Sequence, residues 1–244
     1  MWRDVVVVGG GLAGLAAALR VSSTSRSVAL VSEGVGTTAL SSGMVDVIGY
    51  LPPAHGIAVD SPVEGLSAIG ACAPAHPYLK VGLAGITLAL DEFLVVCERR
   101  DLPYEGSVDR NVWLPTCAGT LRPTCLYPRS MRSGALAPGA RLLAASFGPY
   151  RDLPLHLFTT GLRAAYAARG IDIEVRGVML EPQALRSRAQ VTATELATLF
   201  EDPTFRVAVA RELTAAAGDA TVIGLPAVLG LHQAAEAWSD LQAH

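Results

Sequence analysis

With 244 residues, 51% of them hydrophobic and 17% charged, the chain is long enough for one large domain or two modest ones, and apolar enough for parallel sheets covered on both faces. A net charge of -3 supplies no field for nucleic acid or an anionic membrane surface, so neither is an expected direct partner. No stretch reaches the roughly 18 unbroken apolar residues of a membrane span, since Asp91 and Glu92 interrupt the best candidate, residues 81–97.

In chain order, the first predicted strand is "DVVVV", followed by the turn Gly9-Gly10-Gly11-Leu12-Ala13-Gly14 and the helix-forming "LAAALR". The run after Arg3 has the apolar character of a secretory leader. Asp4 and the lack of an A-x-A cleavage pattern around Ser22 and Ser23 argue against that reading. In the spacing Gly9-x-Gly11-x-x-Gly14, Gly9 permits a tight turn, Gly11 lets backbone approach a pyrophosphate, and Gly14 lets helix and strand pack closely. The amides and positive dipole end of the helix then face the phosphates. A second predicted strand, "SVALVSEG", brings Glu33 to its carboxyl end, 19 residues beyond Gly14 and close to the roughly 20-residue spacing at which a carboxylate accepts ribose hydroxyls. The competing explanation is a glycine-rich turn without a ligand. The next segment, "TTALSSGMVDVIG", is polar and small, and Ser41, Ser42 and Gly43 are candidates for the polar edge of an isoalloxazine ring. An ordinary Ser/Gly turn is the alternative.

Prolines punctuate residues 51–138, with a helix-like stretch at 83–99 and loops with short strands after Pro103. From residue 139 a new α/β unit is predicted: a strand in "ARLLAASFG", a helix over 154–169, and strands in "IDIEVRGVML" and "ATVIGLP". Thr192 and Glu195 form a capping box, and a further helix starts at Asp202-Pro203 and stops at Gly218, so these acids are read as structural. Cys72, Cys97, Cys117 and Cys125 show neither C-x-x-C nor cluster spacing and read as reduced thiols, with no metal site. The expected fold class is α/β: a Rossmann-like FAD/NAD(P)-binding domain over 1–138 and a second α/β unit over 139–244.

Four strings in order, "SSGMVDVIG" (41–49), "APAHPY" (73–78), "GTLRPTCL" (119–126) and "TATELATLFED" (192–202), resemble the B subunit of the anaerobic glycerol-3-phosphate dehydrogenase. The resemblance runs from the first strand to about residue 240. It implies a flavoprotein within a complex that oxidises sn-glycerol 3-phosphate to dihydroxyacetone phosphate and passes electrons to quinone, and on to fumarate or nitrate. The implied partners are a second flavoprotein, which is the A subunit of the same complex, and its iron-sulfur C subunit. The implied location is cytoplasmic, at the inner face of the cell membrane only through a partner. Family members are longer, with a final section that completes the first domain, so here that domain is expected to be incomplete and the subunit truncated or split. The resemblance implies FMN as cofactor. The glycine turn with Glu33 suits FAD instead, because FMN has neither a second phosphate nor an adenosine ribose.

Of Arg122, Arg129 and Arg132, which lie within 11 residues, Arg122 falls in a matching string and is the first candidate for the substrate phosphate; pairing with local acids is the competing explanation. His76 can serve as the base that takes the carbinol proton, or simply cap a turn. Two other functions stay open: a noncatalytic assembly fragment that docks on the second flavoprotein, and an unrelated FAD-dependent oxidoreductase sharing the turn.

Overall fold

β-Branched side chains favour extended backbone, and the valines of Val5–Val8 form strand β1, followed by helix α1 (Leu12–Ser22) and strand β2 (Val28–Val31). The computed structural model describes residues 2–34, 36, 41–52, 57–230 and 232–243. β1 and β2 run parallel, in register from Val5 with Val28 to Val8 with Val31. Asp4 ties their starts together: its carboxylate accepts from Ser27 N at 2.7 Å and from Ser27 Oγ at 2.8 Å, which holds the carboxyl below the usual range.

The chain divides into two compact units, Met1–Met44 and Val45–His244. In the first, no residue of α1 is buried, and Val6, Val8, Leu12, Leu19 and Val31 are exposed, Val8 at 83%. Among the described residues this unit holds a two-stranded parallel sheet with a Rossmann-like β-α-β connection, and its apolar side chains face water.

The second unit begins with a hairpin of β3 (Tyr50–Leu51) and β4 (Ile57–Ala58), then helices α2 (Pro62–Cys72) and α3 (Pro77–Glu98). Ser61 caps α2 by accepting from Glu64 N, with Pro62 in the first turn. α3 starts six residues before the predicted 83 because two helical pieces join across Gly82, whose φ is +71°. Short antiparallel pairs follow, β5 (Tyr104–Gly106) with β8 (Leu126–Pro128), and β6 (Val112–Pro115) with β7 (Leu121–Thr124). Ile48, Val59, Leu66, Ile69 and Ile86 form a small core here, and buried Asn111 donates through Nδ2 to the Ile48 and Val59 carbonyls at 2.8 and 2.7 Å.

The rest of this unit holds β9 (Arg141–Phe147), α4 (Leu155–Ala167), β10 (Glu174–Leu180), α5 (Ala193–Leu199), α6 (Pro203–Ala217), β11 (Val222–Gly224) and α7 (Ala234–Ala243). The strands form a parallel sheet in the order β10-β9-β11. Neighbouring residues on a strand face opposite ways. On β10, Gly177 lies against Leu155 and Thr159 of α4, whereas Arg176 donates to Ala216 O at the end of α6 at 2.7 Å. Helices thus cover both faces. Between them pack Leu162, Leu196, Val209 and an aromatic cluster of Phe147, Phe200 and Phe205, with centroids 5.1 to 6.3 Å apart.

The boundary expected between residues 138 and 139 falls inside this unit. The chain before it is stitched to the sheet layer: the Tyr166 hydroxyl on α4 accepts from Leu136 N at 2.9 Å and donates to Gly134 O at 3.1 Å, and Leu136 belongs to the same core.

The capping box predicted at α5 is present. Thr192 Oγ1 accepts from Glu195 N at 3.2 Å, and the Glu195 carboxylate accepts from Thr192 N at 2.8 Å and Oγ1 at 2.9 Å. Those bonds, the backbone one foremost, hold the Glu195 carboxyl below its ordinary range. Its stabilising contribution is therefore full above the ordinary carboxylate pKa and is lost as pH falls through the depressed one. Thr192→Ala should cost about 1 kcal/mol in urea unfolding at neutral pH; the gap from wild type should narrow below pH ~4 as the Oγ1 bond to the carboxylate weakens, but not close, because the bond that Oγ1 accepts from Glu195 N does not titrate.

Candidate functional site

The glycine turn sits at the carboxyl end of β1 in the first unit. Gly9 has φ +112°, a conformation that disfavours any side chain, and its N–H donates to Val31 O at 2.8 Å, which ties the turn to the end of β2. Gly11 is the N-cap of α1, with extended backbone and no side-chain cap, and the first turn carries no acidic residue. Among the described residues no side chain caps the amides at the start of α1, and the dipole end there is positive.

The three positions of the motif differ in what a side chain would meet. At Gly14 a Cβ would collide with the Gly9 carbonyl oxygen, so this glycine is required by helix-on-strand packing. At Gly11 a Cβ would meet no atom of the described residues within 4 Å, which leaves them clear of the approach a pyrophosphate makes to backbone. Gly10 lies against Ser32, whose Oγ would be 2.6 Å from an added Cβ. Gly36 was not singled out from the sequence, yet it closes the same turn: a Cβ there would lie 2.5 Å from Gly10 O and 2.7 Å from Gly11 Cα. The sequence signal was its place after β2, three residues beyond Glu33.

Glu33 follows β2 by two residues and is exposed, beyond Ser32, whose hydroxyl donates to Gly34 O at 2.6 Å. The structure therefore brings Gly9, Gly10, Gly11, Leu12, Ala13 and Gly14 to the carboxyl end of the β1–β2 pair, with Glu33 just past the same end of β2. These residues fit the diphosphate and adenosine ribose of a dinucleotide. Thr37–Leu40, the start of the predicted ring-edge segment, lie outside the described residues. Of the remainder, Ser41 Oγ accepts from Gly43 N at 3.3 Å, and Gly43 has φ +84°, a local turn.

In the second unit, His76 is the N-cap of α3. Its Nδ1 accepts from Tyr78 N at 3.2 Å, and its ring packs edge-on to Tyr78. Arg122 is paired with Asp46, and Arg129 and Arg132 converge on Glu105 at 3.2 and 3.4 Å. The local acids that compete with a phosphate thus already hold all three guanidiniums. Cys97 and Cys125 are buried, Cys72 and Cys117 exposed, and burial raises the thiol pKa of the buried two. Among the described residues, no group of three or more His, Cys, Asp or Glu side chains is placed to hold a metal ion, and no helix is long and apolar enough to cross a membrane.

The fold and the turn are of the Rossmann-like nucleotide-binding class, and comparison with known proteins narrows the nucleotide to a flavin. Residues 4–244 match the model of the FAD binding domain family, and the chain belongs to that family. It is 33% identical over 237 residues to the probable B subunit of the anaerobic glycerol-3-phosphate dehydrogenase of Halobacterium salinarum, covering 93% of this chain and 53% of that protein. It is 30% identical over 236 residues to the B subunit of the same enzyme from Pectobacterium carotovorum, and 31% identical over 240 residues to that from Yersinia pestis, in each case covering 95% of this chain and 55% of the relative. The resemblance carried by four short strings thus extends along nearly the whole chain. The chain spans about half the length of the curated relatives it matches. No solved structure matches it.

Proposed function

We propose that the chain is the FAD-bearing part of an anaerobic glycerol-3-phosphate dehydrogenase that oxidises sn-glycerol 3-phosphate to dihydroxyacetone phosphate. The observation that carries this reading is that, among the described residues, nothing fills the space at Gly11 or caps the helix amides beside it, in a chain whose relatives bear that dehydrogenase's name. A bound flavin supplies the two-electron acceptor that alcohol oxidation requires. The chain's own part is to grip and orient it. The amides at the start of α1 hold the diphosphate, Glu33 accepts the ribose hydroxyls, and the hydroxyls and amides of Ser41, Ser42 and Gly43 meet the polar edge of the ring. FAD is favoured over FMN because only a dinucleotide gives both the amide cluster and Glu33 something to bind. His76 and Arg122 receive no substrate role, since a helix cap and an ion pair account for them.

In this reading electrons leave through the second flavoprotein, the A subunit of the complex, and then through the iron-sulfur C subunit to quinone; the chain reaches the membrane only through them. The purified protein should be yellow, and anaerobic addition of glycerol 3-phosphate, but not of glycerol, should bleach its flavin absorbance. Bound flavin that stays oxidised with glycerol 3-phosphate in the presence of the second flavoprotein would sink the substrate assignment. The exposed valines and leucines of the first unit favour a second reading, a noncatalytic assembly piece. That reading predicts co-purification with the second flavoprotein and no flavin on this chain.

A further inference from the structure

We propose that the crevice at the carboxyl ends of β9 and β10 is a phosphate-binding site held by Arg151, Arg186 and Arg188. Open α/β sheets bind ligands outside the carboxyl ends of their strands, and β9 and β10 end side by side, Phe147 paired with Leu180. A cleft of about 290 Å³ lies at this place, walled by Gly148 and Pro149 after β9 and by Glu181 after β10. A phosphate monoester of a three-carbon polyol fits that volume.

The cleft is also charged as a phosphate dianion needs. Three arginines line it against one acidic residue, Glu181. Arg151 has no ion pair or side-chain hydrogen bond among the described residues. Arg186 donates through Nε to Glu181 O at 3.2 Å, which orients the guanidinium while leaving its terminal amino groups for a ligand. Arg188 reaches Glu195 only at 3.8 Å, and that carboxylate is already engaged by Thr192. The frame is fixed: Val191 N donates to Pro149 O at 3.0 Å, Tyr150 and Val191 form a bridge, and Leu180 and Leu185 are buried beneath. Planar guanidiniums on such a frame match phosphate oxygens in a way that mobile surface lysines do not.

The chemistry is shared by free phosphate and by a phosphate monoester; only identification with glycerol 3-phosphate rests on the function proposed above. The test is ³¹P NMR titration of the full chain with inorganic phosphate, with glycerol 3-phosphate and, by calorimetry, with glycerol. Both phosphates should bind and glycerol should not. The double variant Arg151→Gln/Arg186→Gln should weaken phosphate binding about tenfold or more, the loss of a little over 1.4 kcal/mol, with unchanged circular dichroism and melting temperature. Arg129→Gln/Arg132→Gln, which removes the same charge elsewhere, should leave affinity unaltered. Glycerol 3-phosphate bound at least tenfold tighter than inorganic phosphate identifies the monoester; equal affinity identifies free phosphate and detaches the site from the dehydrogenase reading. Absence of binding at ~10 mM phosphate, the weak limit for a charge-assisted site, or equal loss in the two double variants, overturns the proposal.

Discussion

Gly11→Val should abolish flavin uptake and leave the protein folded, whereas Gly14→Ala should lose both. The added side chain at Gly11 meets none of the described residues, and the backbone there, φ -76° and ψ 177°, is one that valine adopts readily. The fold therefore loses no more than about 1 kcal/mol, the difference between glycine and a poor N-cap. A pyrophosphate, by contrast, can no longer reach the amides. At Gly14 the first atom of any side chain strikes the Gly9 carbonyl oxygen, a backbone atom pinned between β1 and the Gly9 N–H bond to Val31. Since α1 must move off β1 to relieve that clash, the cost should exceed about 3 kcal/mol. Hydrogen exchange over residues 5–31 separates the two: protection should be retained in Gly11→Val and lost in Gly14→Ala. Equal flavin affinity in Gly11→Val and wild type would remove the turn from the site.

Arg206→Met should destabilise the second unit by about 3 kcal/mol and release α7. Arg206 is 1% exposed on α6, and its guanidinium holds four acceptors: Asp240 at 2.7 Å and Glu236 at 3.4 Å on α7, and the Phe200 and Glu201 carbonyls at 2.9 and 3.2 Å. Glu201 in turn accepts from His232 N at 2.8 Å ahead of α7. Methionine fills the same volume but leaves two carbonyls without partners. The two acids are 58% and 42% exposed, so water rehydrates them when they are freed. Glu236→Gln/Asp240→Asn removes both countercharges of a buried guanidinium but should cost less, since the amide oxygens can still accept from it and the Phe200 and Glu201 carbonyls still hold it. Urea unfolding followed by far-UV circular dichroism measures both, and an Arg206→Met loss no larger than that of the acid pair would contradict the account.

Much of this was written locally. The valine run, the glycine spacing, the capping box at Thr192 and the Asp202-Pro203 start each act over a few residues, and each appears where the sequence placed it. α2 was equally local: Ser61-Pro62-x-Glu64 carries an N-cap, a proline at the first helical position and an acid in the first turn, but the surrounding prolines hid it. That residues 138 and 139 lie inside one unit was not legible, because Leu136 joins the core of the β10-β9-β11 sheet through a tyrosine 30 residues away. Nor was the fate of the arginine loop. Asp46 and Glu105, its partners, lie up to 76 residues distant, and only folding shows that they reach Arg122, Arg129 and Arg132. Gly36 escaped for the converse reason, since its role is to let backbone approach backbone and it leaves no pattern of side chains.

The central claim is that backbone amides in the first glycine turn hold the diphosphate of a dinucleotide flavin, and competition by ADP tests it most directly. FAD should quench and saturate at one per chain, ADP should displace it, and FMN should bind far more weakly. Flavin that ADP cannot displace, or FMN bound as tightly as FAD, would contradict the account.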